Sequence, residues 1–233
     1  ASLNCTFGDT WVEYARELEN TGINALELNF YYVPGDFKRD GKSIVNEQLD
    51  VISDVKKNVK IPVSVKLSPF YTNALMVIQN MYYAGADGFV LFNRMFQPDI
   101  DLETEEHSFP YNLSHEEDNL LPMRFAGLLH GEIRGSLCAN TGIFTGKDVA
   151  KMILAGADCV QVVSTIYKNG IGQIGKILEA LNEWMDHKNY DSIDAFKGKL
   201  SRKNQKDPFS YRRAQYIDIL MKSEEIFKKY PVR

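Results

Sequence analysis

The chain has 233 residues, 44% hydrophobic and 25% charged, with a formal net charge of -4 and a pI near 5.7. That length fits one domain with a sizeable core, and an acidic balance without a basic stripe excludes a nucleic-acid-binding face. No apolar run approaches the ~18 residues of a membrane span, and nothing has the form of a signal peptide.

In chain order, residues 1–5 are expected to form a short strand, followed by a helix capped by Asp9 or Thr10 that closes near Asn20 before Thr21-Gly22. Ala25-Leu-Glu-Leu-Asn-Phe-Tyr31 alternates as a second strand, with Glu27 and Asn29 on one face. A loop with Pro34, Gly35, Asp36 and Gly41 leads to a helix over 43–58 that keeps Ile44, Leu49, Ile52 and Val55 on one side. The third strand, 62–67, puts Val63, Val65 and Leu67 on one face and Ser64 and Lys66 on the other. A lysine there must find a partner or lose its proton. A helix over 72–84 ends at Gly85, and Gly88-Phe-Val-Leu-Phe-Asn93 is the fourth strand. From Arg94 to Asp118 the chain is irregular, with Pro98, Pro110 and the acids Asp99, Asp101, Glu103, Glu105 and Glu106, the pattern of a lid, binding loop or packing arm. Helix 121–131, strand 135–140, helix 146–155 and strand 158–164 follow, and a charged helical tail over 171–233 is expected to pack outside the body at 1–170.

Strands separated by helices indicate right-handed βαβ units and an α/β fold with a parallel sheet. No G-x-G-x-x-G follows the first strand, which argues against a dinucleotide-binding sheet. Six strands are visible where a (β/α)8 TIM barrel has eight; from the abrupt start at Ala1 the other two are expected upstream, and the chain is then expected to be an incomplete barrel with exposed edges.

Asn29, Lys66, Asn93, Thr141-Gly142 and Ser164-Thr165 all fall at the C-terminal ends of expected strands, where barrel enzymes keep their chemistry. The last two pairs occupy the usual phosphate position, where backbone N–H groups and hydroxyls converge. Taken singly, each residue has a bland reading: Glu27 and Lys66 as an ion pair across adjacent strands, Asn29 and Asn93 as satisfied core amides. Five aligned strand ends outweigh it. His107, His115, His130 and His187 show no ligand spacing, so no metal is expected. Three cysteines (Cys5, Cys138, Cys159), far apart and odd in number, point to a reducing cytoplasm.

Glu27-Leu-Asn29, Val65-Lys-Leu-Ser-Pro69, Thr141-Gly-Ile143, Gly156-Ala157, Tyr190-Asp-Ser-Ile193 and Gly198-Lys199 together resemble the dihydroorotate dehydrogenase family, in family order. Val90-Leu-Phe-Asn-Arg94 with Gln97-Pro-Asp-Ile-Asp101 is similar to a divergent bacterial branch of it. The resemblance implies an FMN-containing barrel that oxidises dihydroorotate, or another dihydropyrimidine, by hydride transfer to flavin, with a small-molecule substrate and a homodimeric assembly. It implies that Asn29 touches flavin and substrate, that Lys66 lies beside the pyrimidine edge of the flavin, that Asn93 binds substrate, and that Thr141, Gly142, Ser164 and Thr165 hold phosphate. Tyr32 stands where the family carries a Cys or Ser base, and a tyrosine, ionising near pH ~10, is a weak base at neutrality. Thr141 and Val163 replace family glycines. Two rival expectations remain: a base-less barrel with a binding or scaffold role, and a flavin-free aldolase-type barrel using Lys66 as a Schiff-base nucleophile.

Overall fold

Each strand of the main sheet pairs in parallel with the next main-sheet strand along the chain, the order that successive βαβ units produce. The computed structural model describes residues 1–6, 8–33, 35–222, 224, 225 and 228, so Pro34 and the end of the expected tail lie outside the described residues. In chain order the elements are β1 (Ser2–Leu3), α1 (Gly8–Asn20), β2 (Leu26–Asn29), α2 (Gly41–Asn58), β3 (Val63–Leu67), α3 (Ala74–Tyr83), β4 (Gly88–Leu91), β5 (Asp99–Asp101) and β6 (Glu106–Ser108). They continue with α4 (Leu120–Leu129), β7 (Ser136–Asn140), α5 (Gly146–Ala155), β8 (Cys159–Gln161), α6 (Ser164–Asn169), α7 (Gln173–His187) and α8 (Ala214–Met221).

The sheet runs β1-β2-β3-β4-β7-β8. Glu27 on β2 and Gln161 on β8 are four steps apart in that order, which a flat sheet would separate by about 19 Å. Their side chains nevertheless hydrogen-bond at 2.9 Å, so the sheet is curled into a half-barrel, an incomplete (β/α) barrel. Period-two alternation then sends Glu27, Asn29 and Lys66 inward and Leu26, Leu28, Val63, Val65 and Leu67 outward beneath the helices. Those outward side chains form the larger core with Trp11, Ile52, Val55, Ile78 and Met81, each fully buried group contributing about 1.5–3 kcal/mol. Among the described residues, β1 and β8 are the open edges of the sheet.

Local chemistry sets the helix starts. The Asp40 carboxylate accepts the Ser43 N–H at 2.7 Å and begins α2 earlier than expected. Thr145 and Asp148 form a reciprocal capping box on α5. The stretch expected to be irregular contains an exposed antiparallel hairpin, β5 with β6, whose acidic residues gave no strand signal. The expected strand over 158–164 stops at Gln161, and Ser164 and Thr165 belong to the first turn of α6. The tail is no loose appendage: Ile177, Leu181 and Phe196 are buried with Val149, Met152 and Ile153 in a second core cluster. Gly170-Ile-Gly-Gln-Ile-Gly175 repeats a nucleotide-turn spacing but follows helix α6 rather than a strand, so the spacing lacks its context. Among the described residues no helix is long and apolar enough to cross a membrane.

Candidate active site

Asn29, Lys66, Asn93, Thr141, Gly142 and Ser164 line one cavity of about 240 Å³ at the C-terminal ends of the strands. Each was expected from the sequence, and the curl of the sheet brings them together. Lys66 projects inward from β3 and its Nζ donates to Gln161 Oε1 at 3.3 Å. Gln161 Nε2 in turn donates to Glu27 Oε2 at 2.9 Å, and Ser2 Oγ donates to Glu27 Oε1 at 2.7 Å. The expected Glu27–Lys66 pair is therefore bridged by a glutamine from the far edge of the sheet. Gln161 escaped the sequence reading because no local pattern connects β8 with β2 and β3. Its parity on β8 was the available signal.

Asn29 lines the cavity, and its Oδ1 is buried and without a hydrogen-bond partner. A buried, unmet acceptor of this kind costs about 1–3 kcal/mol, so its retention points to a donor that arrives with a ligand. Asn93 is 8% exposed, and its Nδ2 donates to Phe30 O at 3.1 Å and Lys66 O at 3.4 Å. Its amide nitrogen thus ties the ends of β2 and β3, and Oδ1 is what it offers a ligand.

Tyr32 lies elsewhere. It lines a second cavity of about 300 Å³ with Cys5, Trp11, Phe30 and Gln48, and the Arg39 guanidinium sits 5.7 Å from its ring centroid. Tyr31, not Tyr32, lines the Lys66 cavity, and it reaches the second cavity as well, on a γ-turn closed by its N–H to Asn29 O at 2.9 Å. Its hydroxyl accepts the Phe96 N–H at 3.0 Å. Phe96 and Tyr111, with ring centroids 5.5 Å apart, complete an aromatic wall. The lining, among the described residues, contains no Asp, Glu, His or Cys.

The turns after β7 and β8 are held from outside the barrel strands. Thr141 and Gly142 have φ of +75° and +71°, so the threonine carries a left-handed backbone that a glycine adopts freely. A side chain at Gly142 would meet Asn119 N at 2.5 Å and His115 O at 2.7 Å. Gly142 N–H donates to Ser114 Oγ at 3.2 Å, Ser114 N–H donates to Ser164 Oγ at 2.9 Å, and Lys168 Nζ donates to Ser114 O at 2.9 Å. Asn119 Nδ2 donates to Gly142 O at 3.1 Å and to Asp148 Oδ1 at 3.3 Å. Thr165 is buried beside this turn, outside the cavity lining, and its Oγ1 accepts from Asn169 Nδ2 at 3.2 Å. Ser114 comes from the segment expected to be irregular and Asn119 from just past its end, and nothing local marked either. Among the described residues no group of three or more His, Cys, Asp or Glu side chains could hold a metal.

No family model matches the chain. It is 26% identical over 206 residues to a chloroplastic dihydropyrimidine dehydrogenase (NADP(+)) of Arabidopsis thaliana, covering 81% of this chain and 48% of that protein. It is 27% identical over 187 residues to the catalytic subunit of a dihydroorotate dehydrogenase B (NAD(+)) of Thermoplasma volcanium, covering 78% and 61%. A dihydroorotate dehydrogenase A (fumarate) of Lactobacillus helveticus is 28% identical over 177 residues, covering 72% and 57%. The chain thus spans about half to three-fifths of the length of these relatives. Plant, archaeal and bacterial proteins match at similar identity, so a bacterial branch is not singled out.

Proposed function

The chain belongs to the dihydroorotate dehydrogenase-like family, and from that premise we propose that it carries the ring-binding face of an FMN-dependent oxidoreductase acting on a CH–CH bond of a dihydropyrimidine. The observation that carries this reading is the convergence of Asn29, Lys66, Asn93, Thr141, Gly142 and Ser164 on one cavity with an unmet acceptor at Asn29. A flavin supplies, when bound, a two-electron acceptor for the hydrogen that leaves the substrate as hydride. The residues present suit both parts of FMN. Asn29 Oδ1 offers an acceptor to an imide-type N–H, and the ammonium of Lys66 provides a fixed positive charge where a reduced ring is negative. The Ser114 and Ser164 hydroxyls, both on the cavity lining and both accepting from backbone N–H groups, keep their O–H to donate to a phosphate.

Gln161 holds the Lys66 ammonium in place, and Glu27 fixes which end of the glutamine amide faces the lysine. Asn93 locks the strand ends on which Asn29 and Lys66 stand. Phe96 and Tyr111 offer a flat apolar surface to a planar ring. We assign the substrate-side phenol to Tyr31 rather than Tyr32, because Tyr31 lines the Lys66 cavity and Tyr32 does not. In this reading residues 1–170 are the flavin-binding body and 171–233 an extension packed on it, in a homodimeric, cytoplasmic enzyme with a small-molecule substrate. The scaffold alternative is not favoured, because the relatives are named dehydrogenases.

The test is an anaerobic titration of the complete gene product with dihydroorotate and, separately, dihydrouracil. The expected result is a protein with flavin absorbance that bleaches stoichiometrically with one of the two. A full-length protein that neither retains nor takes up FMN would overturn the proposal.

A further inference from the structure

We propose that Arg94 is a positioning residue for the phosphate end of the cavity, acting through Ser114. The proposal rests on the flavin reading above and gives a role to a residue which that reading leaves without one. Arg94 follows Asn93 just beyond β4 and lines the Lys66 cavity. Its Nε donates to Asn112 O at 2.9 Å and its Nη1 to Asp118 Oδ2 at 2.6 Å. The same Asp118 oxygen accepts the His115 N–H at 2.8 Å. Asn112 Nδ2 donates in turn to Gln97 O at 3.4 Å. One guanidinium therefore fixes the chain on both sides of Ser114, at Asn112 directly and at His115 by way of Asp118.

Ser114 is buried, its hydroxyl accepts the Gly142 N–H, and its own N–H donates to Ser164 Oγ. These are the two hydroxyls left to donate to a phosphate. Asn119, next to Asp118, adds the bond to Gly142 O at 3.1 Å. The fit against the β7 turn is close: a Cβ on Gly142 would meet His115 O at 2.7 Å and the Asp118 carbonyl carbon at 3.0 Å. Any shift of the 112–119 segment thus displaces the hydroxyls that would meet phosphate. The Arg94 and Asp118 side chains are each 33% exposed, so their attraction by itself is worth little, and what the site uses is the geometry it imposes. A guanidinium suits that task because its rigid fork holds two acceptors at once, whereas an ammonium is a point charge on a flexible stem. Both β4 and β7 are interior strands, so these contacts do not belong to an open edge of the sheet. Asn93 ties the strand ends under Asn29 and Lys66, and its neighbour Arg94 ties β4 to the opposite end of the cavity.

The experiment compares the full-length native protein with Arg94→Gln, Arg94→Lys and the double variant Arg94→Gln/Asp118→Asn. Without flavin, amide hydrogen exchange should quicken in peptides covering 112–119 and 141–143 of all three variants and stay unchanged over 26–29 and 63–67. With flavin, FMN affinity should fall about tenfold in each variant, while riboflavin, which lacks the phosphate, binds within about twofold of native. Arg94→Lys keeps the positive charge, and the double variant removes the carboxylate that Arg94→Gln strands. Native FMN affinity in either would make the effect one of charge and overturn the proposal. An equal loss for riboflavin, or unchanged exchange over 141–143, would overturn it as well. A native protein that takes up neither flavin would instead overturn the flavin reading, and the exchange at 141–143 would still decide whether Arg94 holds the turn.

Discussion

At one end of the cavity Asn29, Lys66 and Asn93 stand on or just beyond three neighbouring strands, whereas at the other Thr141 and Gly142 are clamped by Ser114, 28 residues from Gly142 in the chain, and by Asn119. The first end is a strand face: position follows from period two, and a side chain can change without moving the backbone. The second is a turn whose conformation depends on contacts from another segment, so the same size of change there alters the fold before it alters the chemistry. Chemistry should therefore fail without structure at Lys66, and structure should fail first at Gly142.

The largest effect is expected at Lys66. Lys66→Ala in flavin-loaded protein should slow flavin reduction by about 10²–10³-fold, the cost of removing one preorganised charge partner, and leave the urea midpoint nearly unchanged. Unaltered reduction kinetics in a stopped-flow trace would remove Lys66 from the mechanism. Gly142→Ala should cost about 3 kcal/mol of stability, combining a left-handed backbone with a backbone clash, and equilibrium unfolding measures it. A neutral result would erase the contrast between the two ends. Gln161→Leu should act more mildly: FMN affinity falls about tenfold, equivalent to ~1.4 kcal/mol, as the Lys66 ammonium loses its acceptor. Fluorescence quenching on titration would read that change.

Thr141→Gly sharpens the comparison from the other side. Relief of the left-handed threonine, worth about 1–2 kcal/mol, exceeds the added backbone freedom of glycine, roughly 0.5–1 kcal/mol. The variant should be more stable by under about 1 kcal/mol in a urea titration. The smallest effect is a pH limb. Burial pushes the Asp148 carboxyl up, but hydrogen bonds from Thr145, Lys151 and the Phe144 N–H outweigh it and hold it below its ordinary 3.8. A depressed folded value means its contribution is complete above that ordinary range and is lost as pH falls through the lower folded value. Asp148→Asn should flatten stability below about pH 4, as followed by thermal melts across an acid series.

Several outcomes bear on how far the residues alone could lead. Lys66 and Asn29 were legible because alternation in two short runs set each on the face opposite Val65 and Leu28, and the aligned strand ends followed from the strand–helix rhythm. Alternation could not decide between Tyr31 and Tyr32, because the strand ends at Asn29 and a γ-turn at Phe30 sets which of the two faces the Lys66 cavity. The hairpin β5–β6, Ser114 and Asn119 had no local signature, since acidic residues disfavour strands and the partners of Ser114 and Asn119 lie well away in the chain.

By itself, then, the amino-acid order determined the number and direction of the strands of the main sheet, which side chains share a face, and the resemblance to dihydroorotate dehydrogenases, because these depend on short-range periodicity and on motifs in sequence. The tertiary structure alone decided that Gln161 bridges Lys66 to Glu27 and that the 112–119 segment grips the β7 turn. Each of those depends on the curl and register of the sheet, which bring together groups that no local pattern connects.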